Sequence, residues 1–295
     1  MICASAAPTL LDYYKDNYRP MRLVGCSPKT LIQYDVSLGH WQRFAGQLPL
    51  ERIDSRTMAS FAESLLPGRK PSTVNKIIRH VMPILRFASE EDDIAKPPKF
   101  RKLRESKRVP LALTVAEFLA VLTEAEKQPG TVGGIPAPAW WRSLLCVDWE
   151  TGLRITALLS VRCADVLVAQ SGLYCRAEEQ KDLEAQWYPL STPTMANVAA
   201  IFSLDRPLLW PREVKPATIT RRFRKILDNS GIYAPKGSGM VFHRIRKSTA
   251  SYLKAAGMDA QKKLGHSAPS VTERYMDPRI VGKDKPADLV AAPIK

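Results

Sequence analysis

A chain of 295 residues, 45% hydrophobic and 25% charged, with a formal charge of +15 and a pI of about 9.7, is long enough for two domains that each bury a core. No stretch approaches the apolar length of a membrane span, the N-terminal MICASAAPTLL lacks the basic residues of a secretory leader, and five scattered cysteines form no CxxC pair. Those features argue against membrane-spanning, exported and disulfide- or zinc-stapled classes, and leave a cytoplasmic protein as the expectation.

The charge is also localised. Residues 96–110 carry 7 basic against 1 acidic side chain and residues 211–295 carry 18 against 7, whereas the remainder is balanced or acidic. A basic surface so confined points to a polyanion, nucleic acid first, with a solubilising excess as the competing explanation.

In chain order, four helices are expected before residue 95. The first runs through TLLDYYKDNYRPMRL. The second follows a Ser27 cap with Pro28 in its first position, and Leu31, Tyr34, Leu38, Trp41 and Phe44 give it one apolar stripe. The third starts at Asp54. The fourth runs from about Ser72, with Lys76, Arg79 and His80 on its polar side and Pro83 as a kink point. KPPKFRKLRESKRVP then reads as an exposed linker, able to reach roughly 50 Å when extended.

A second fold begins with the helix TVAEFLAVLTEAEK, a Gly/Pro loop and the apolar helix WWRSLLCVDWETG. SGLYCRAEEQ and QWYPLS are expected to form a hairpin tipped by KDLEA, with helices again from Pro216. One of these, opening with FHRIRKSTASYL and stopped by Gly257, should bury Ile245, Thr249, Tyr252 and Leu253. A short final helix, opened by a Ser270/Glu273 capping box and ended by Asp277-Pro278, is expected to carry Tyr275.

Four patterns that bear chemistry occur in one order: TGLRITALLSV with Arg154, the hairpin-tip Lys181, FHRIRKSTASYL with His243 and Arg246, and LGHSAPSVTERYMDP with His266 and Tyr275. Guanidinium groups present paired donors that match phosphate oxygens and stay charged at any working pH. The spacing of His243 and Arg246 puts both on one helical face. A phenol, with a free pKa of about 10, is a nucleophile that benefits from a nearby base and nearby cations. In these residues, above all H-x-x-R followed by L-G-H with a tyrosine nine positions beyond, the sequence resembles the tyrosine site-specific recombinase (phage integrase) family over nearly the whole chain.

That resemblance implies a mainly α, two-domain DNA clamp. Its parts would be a SAM-like four-helix core-binding domain over residues 1–95, a basic linker over 96–110, an α-rich catalytic domain with a small β-hairpin or sheet over 111–278, and a tail over 279–295. The implied activity is cleavage and rejoining of DNA through a 3′-phosphotyrosine at Tyr275 and a Holliday junction, with no metal, ATP or other cofactor. The implied partners are double-stranded recombination sites, bound by a homo-tetramer that is monomeric when free, in association with the nucleoid. Arg154 and Arg246 would clamp the phosphate, His243 would serve as base, His266 would bond the scissile phosphate and Lys181 would be the general acid. Lys76, Arg79, Lys99, Arg101, Lys102, Arg104, Arg221, Arg222 and Arg224 are expected to meet DNA phosphates and make binding steeply salt-dependent.

Two departures from the family pattern stand out. Ala157 occupies the position, three after Arg154, that is usually acidic, and the stretch MDAQKK ahead of Leu264 is about one helical turn short. The competing readings are a type IB topoisomerase, a non-catalytic DNA-binding relative, and a metal nuclease using His243 and His266.

Overall fold

The computed structural model describes residues 7–106, 109–180, 182–232, 241–265 and 267–282. They form two compact units, residues 1–107 and 108–295. Both are dominated by helices, and small antiparallel sheets occur in the second, so the fold is mainly α as the sequence indicates.

The first unit opens with α1 (Leu10–Tyr13), whose cap Thr9 exchanges hydrogen bonds with Asp12 in a capping box. Periodicity predicts one regular helix from there to Arg22. Instead, Tyr14–Tyr18 make a wider π turn before α2 (Arg19–Arg22). Pro20 accounts for the difference: it has no N–H, and its ring crowds the carbonyl one turn back, which a wider turn relieves. Tyr13, Tyr14 and Tyr18 are buried there, and the Tyr18 and Tyr34 hydroxyls hydrogen-bond at 3.1 Å.

Helix α3 (Pro28–Ala45) is capped by Ser27, which accepts from the Thr30 N–H, and α4 (Ser55–Leu65) by Asp54, which accepts from the Thr57 N–H. Of the predicted α3 stripe, Tyr34, Leu38 and Trp41 are buried; Phe44, at the helix end, keeps partial exposure while its ring packs against Trp41 and Phe61. Helix α5 (Pro71–Glu90) runs through Pro83 as a single helix. Val74, Ile77, Ile78, Val81, Ile84, Leu85 and Ala88 bury one continuous face around that proline, which outweighs the backbone bond it forfeits. His80 does not belong to the polar side: it is half-buried, its Nδ1 is 3.1 Å from Ser37 Oγ, and its ring meets Tyr34 edge-on.

The basic segment after α5 is partly tied down. Phe100 and Leu103 pack on the core of this unit, and the buried Asn75 donates to the Leu103 carbonyl (2.9 Å) and the Glu105 carboxylate (2.7 Å) while accepting from the Leu103 N–H (3.0 Å). Lys99, Arg101, Lys102 and Arg104 point outward between these anchors. Replacing Asn75 by Ala leaves the Leu103 amide without its partner, so we expect a loss of about 1–3 kcal/mol in thermal unfolding and faster tryptic cleavage at residues 101–104. Unchanged cleavage would mean that the anchors do not hold the segment.

The second unit begins with α6 (Val115–Ala125), opened by a Thr114/Glu117 capping box. The Gly/Pro loop predicted next contains a two-residue hairpin, β1 (Thr131–Val132) with β2 (Ile135–Pro136), turned by Gly133 and Gly134 at positive φ. Gly133 is required, because a Cβ there would lie 2.5 Å from the Pro211 backbone. Helix α7 (Ala137–Thr151) is buried on most of its circumference and forms the centre of the core, with Trp140, Trp141, Leu144, Leu145 and Val147 all inside. Short α8 (Ile155–Leu158) follows, and then a three-stranded antiparallel sheet in the order β3 (Val166–Leu167), β4 (Gly172–Cys175), β5 (Gln186–Pro189). The expected hairpin is β4–β5. Strand β3, two residues long, is too short to leave an alternating pattern.

Helices α9 (Thr192–Ala199), α10 (Pro216–Asn229) and α11 (Phe242–Ala255) complete the core, where Phe223 stacks on both Trp141 and Phe242. α12 (Ala260–Lys263), α13 (Pro269–Glu273) and α14 (Pro278–Val281) are single turns. Cys163 and Cys175 are buried free thiols, and among the described residues no helix is long and apolar enough to cross a membrane.

Candidate active site

The C-terminus of α7, the first turns of α11 and the turn after α13 meet at one place. Helix α7 ends at Gly152 in the left-handed region (φ 61°), where a Cβ would lie 2.6 Å from Leu264 and 3.2 Å from Thr249. Only glycine fits that turn, and it sets the chain so that Arg154 becomes the half-buried residue at the start of α8. From α11, Arg246 extends into the same place. It is 3% exposed and donates to the Gly152 and Leu264 carbonyls, each at 2.5 Å.

The Tyr275 hydroxyl lies close enough to Arg246 to favour its charge, and the His243 and Tyr275 rings lie 5.9 Å apart. Burial, and then the charges of Arg246, Lys247 and Arg154, push the His243 imidazole down to about 4. It is therefore neutral at neutral pH and able to accept a proton. Arg154 lies close enough for its charge to disfavour that of Arg246, which burial already pushes down. Two like charges held together against burial suit a site completed by an anion.

Arg154, His243, Arg246 and Tyr275 thus converge. Lys181 and His266 lie outside the described residues. The described neighbours of both do meet: a Cβ at Gly265 would run into the carboxylate of Asp182. The hairpin tip that contains Asp182 is closed by the Gln180 side chain donating to the Glu184 carbonyl at 2.6 Å, and its base is fastened by Arg176 chelating Asp165 at 2.8–3.1 Å. Lys263, which the sequence did not single out, sits over the Tyr188 ring at 4.8 Å, and Tyr188 in turn feels the charges of Arg246 and Arg154.

Tyr275 is not on a capped helix. α13 begins after Ala268 with Pro269 in its first turn, Ser270 makes no cap, and the helix stops at Glu273, so Tyr275 sits in the turn that follows. The Pro269 ring favours the earlier helix start and so displaces the Ser270 box. Behind this turn, the fully buried Asp277 is the cap of α14. Its carboxylate accepts from the Ala112 N–H (2.8 Å) and from the Arg279 guanidinium, and its own N–H donates to Ser251 Oγ (2.9 Å). Ser251 Oγ in turn donates to the Tyr275 carbonyl at 3.3 Å.

Burial works against the Asp277 charge, but Arg279 and the backbone donors outweigh it and hold the carboxyl below its usual range. A depressed folded pKa gives stability that is present above the unfolded carboxylate value and lost as pH falls through the folded value. Asp277→Asn is therefore expected to cost about 2–4 kcal/mol at pH 7 and to remove part of the acid destabilisation, readable in melts from pH 3 to 7. A variant as stable as the parent throughout would mean that this anchor does not hold the tyrosine turn.

Ala157 is buried in the core of the second unit. Among the outer cations, Lys76, Arg79, Arg221 and Arg222 are exposed, whereas Arg224 is half-buried and engaged in an interaction of its own. No group of three or more His, Cys, Asp or Glu that could hold a metal ion occurs among the described residues.

The family model described as the phage integrase family matches residues 112–280. The integrase of Enterobacteria phage P21 is 36% identical over 83% of this chain, which spans 59% of that relative's length. Among solved structures, a lambda integrase fragment, residues 75–356, crystallised as a dimer bound to a COC′ core site, superposes with a TM-score of 0.71 at 22% identity, covering 94% of this chain and 96% of that one. A lambda integrase tetramer bound to a Holliday junction gives a TM-score of 0.69 at 23% identity, covering 94% and 78%. These likenesses show a shared fold.

Proposed function

Since the chain belongs to the phage integrase family, we propose that it is a site-specific recombinase that cuts and rejoins double-stranded DNA through a covalent bond at Tyr275. The observation that carries the reading is the convergence of two arginines, a neutral imidazole and one tyrosine hydroxyl from three separated segments.

In this reading a backbone phosphate enters between Arg154 and Arg246, which neutralise the charge that builds on the phosphorane. The Tyr275 oxygen attacks phosphorus, the phenolic proton passes to His243, and the bond from phosphorus to the 5′ oxygen breaks, leaving a 3′-phosphotyrosine. Lys181 protonates the departing 5′ oxygen and His266 bonds the phosphate. The phosphodiester energy is kept in the phosphotyrosine, so a 5′ hydroxyl from a second duplex can reverse the step. Exchange in two rounds gives a Holliday junction, worked by a tetramer on two sites. Lys76, Arg79, Lys99, Arg101, Lys102, Arg104, Arg221, Arg222 and Arg224 supply phosphate contacts that carry little sequence information.

The test uses nicked duplex fragments tiled across the DNA that flanks the coding region, incubated with the protein in EDTA. A nick beside the scissile phosphate lets the 5′ end diffuse away and traps the intermediate. An SDS-resistant protein–DNA adduct is expected on a subset of fragments. Cleavage that requires a divalent ion and leaves free ends would refute the phosphotyrosine mechanism.

A further inference from the structure

Asp148 is a fully buried acid on α7 that the proposed reaction does not use. It faces the core with no exposed surface, and among the described residues neither carboxyl oxygen has a hydrogen-bond partner. A buried carboxyl without donors is costly and is rarely found at a position of no consequence. One turn beyond it, Gly152 donates its N–H to the Asp148 carbonyl and gives its own carbonyl to Arg246. Arg246 carries the complementary deficit: its two terminal nitrogens have acceptors, but its Nε is buried with none. An unsatisfied acceptor and an unsatisfied donor therefore belong to one layer between α7 and α11.

We propose that Asp148 is the positioning residue for Arg246: with a DNA phosphate bound, its carboxylate takes up the Nε hydrogen that has no acceptor here, while each terminal nitrogen, which gives one hydrogen to a carbonyl, turns its other hydrogen to the phosphate. This rests on the strand-transfer reading above. Burial raises the Asp148 carboxyl well above its ordinary range, and Arg246 is the charge that opposes this. The titratable His243 and the cations Arg244 and Lys247 also stand on α11, while the other acids on α6 and α7 have partners elsewhere. Glu117 meets Arg279, Glu124 meets Lys127 and Asn229, and Glu150 on α7 itself accepts from Ser191 and Thr194.

The sign follows from the raised pKa. The folded protein takes up this proton more readily than the unfolded chain, so Asp148 destabilises the fold as pH rises above the unfolded carboxylate value. Positioning needs the ionised form, so cleavage should rise with pH across the range in which stability falls. Asp148→Asn removes the titration with little change of shape.

The experiment compares wild type, Asp148→Asn and Asp148→Leu for melting temperature and for single-turnover adduct formation between pH 5 and 9 on a trapping fragment. We expect both variants to melt above wild type at pH 8. We expect adduct formation by Asp148→Asn to be slower by roughly 10- to 100-fold at that pH and to lose the Asp148-dependent rise, with DNA affinity within about twofold of wild type. Wild-type cleavage rates with a wild-type pH profile in either variant would overturn the proposal. So would melting below wild type for both at every pH, the mark of a merely structural acid. If wild type itself forms no adduct on any fragment, the strand-transfer reading fails, a result distinct from either of these.

Discussion

Tyr275→Phe is expected to lower covalent adduct formation by a factor on the order of 10⁴ or more while leaving DNA affinity within about twofold. The hydroxyl is the only atom removed. Arg246 keeps the Gly152 and Leu264 carbonyls without it, so the fold around the site should persist. The turn that carries the ring is held from behind by Asp277 and Ser251, whose bonds do not involve the phenol. Equal melting temperatures for the variant and wild type would check this separation of chemistry from stability.

Arg246→Ala should have the second largest effect, in both stability and chemistry. The side chain is buried, and its removal leaves the Gly152 and Leu264 carbonyls short of a donor and Asp148 without a counter-charge. A loss of about 3–5 kcal/mol in unfolding is expected for breaking such a buried set. Adduct formation should fall by about 10³-fold, the scale for removing a donor aimed at developing charge. Arg246→Lys restores a charge but not the planar fork, so it should recover stability more than rate. Rates close to wild type for Arg246→Lys would mean that the site needs only a point charge there.

Much of this arrangement is legible in the sequence, for particular reasons. Arg154, His243, Arg246 and Tyr275 stand in short patterns whose neighbours repeat the family's, and the fold brings these four together. Helices with a distinct cap and stripe, such as α3 after Ser27 and α6 after Thr114, are equally readable, because local bonds and one apolar face decide them. The misreadings come where one residue overrides a local rule. Pro20 widens a helix into a π turn, and Pro269 starts α13 ahead of the Ser270 box, which leaves Tyr275 in a turn.

Asp148 did leave a signal. Trp141, Leu144, Leu145 and Asp148 follow helical spacing, so an acid stands where the stripe calls for an apolar side chain. A polar residue at a core position breaks the agreement between pattern and burial, which is where function tends to lie. Lys263 left none, because its place over Tyr188 depends on how a single-turn helix packs beside the sheet. His80 misleads for a similar reason, since tertiary contacts with Ser37 and Tyr34 decide its direction.

The most direct test is to digest the trapped protein–DNA adduct with trypsin and nuclease and to locate the nucleotide remnant by mass spectrometry. The remnant is expected on the peptide of residues 275–279, linked through the tyrosine oxygen to a 3′ phosphate. A remnant on any other residue, or a 5′ phosphate linkage, would contradict the account.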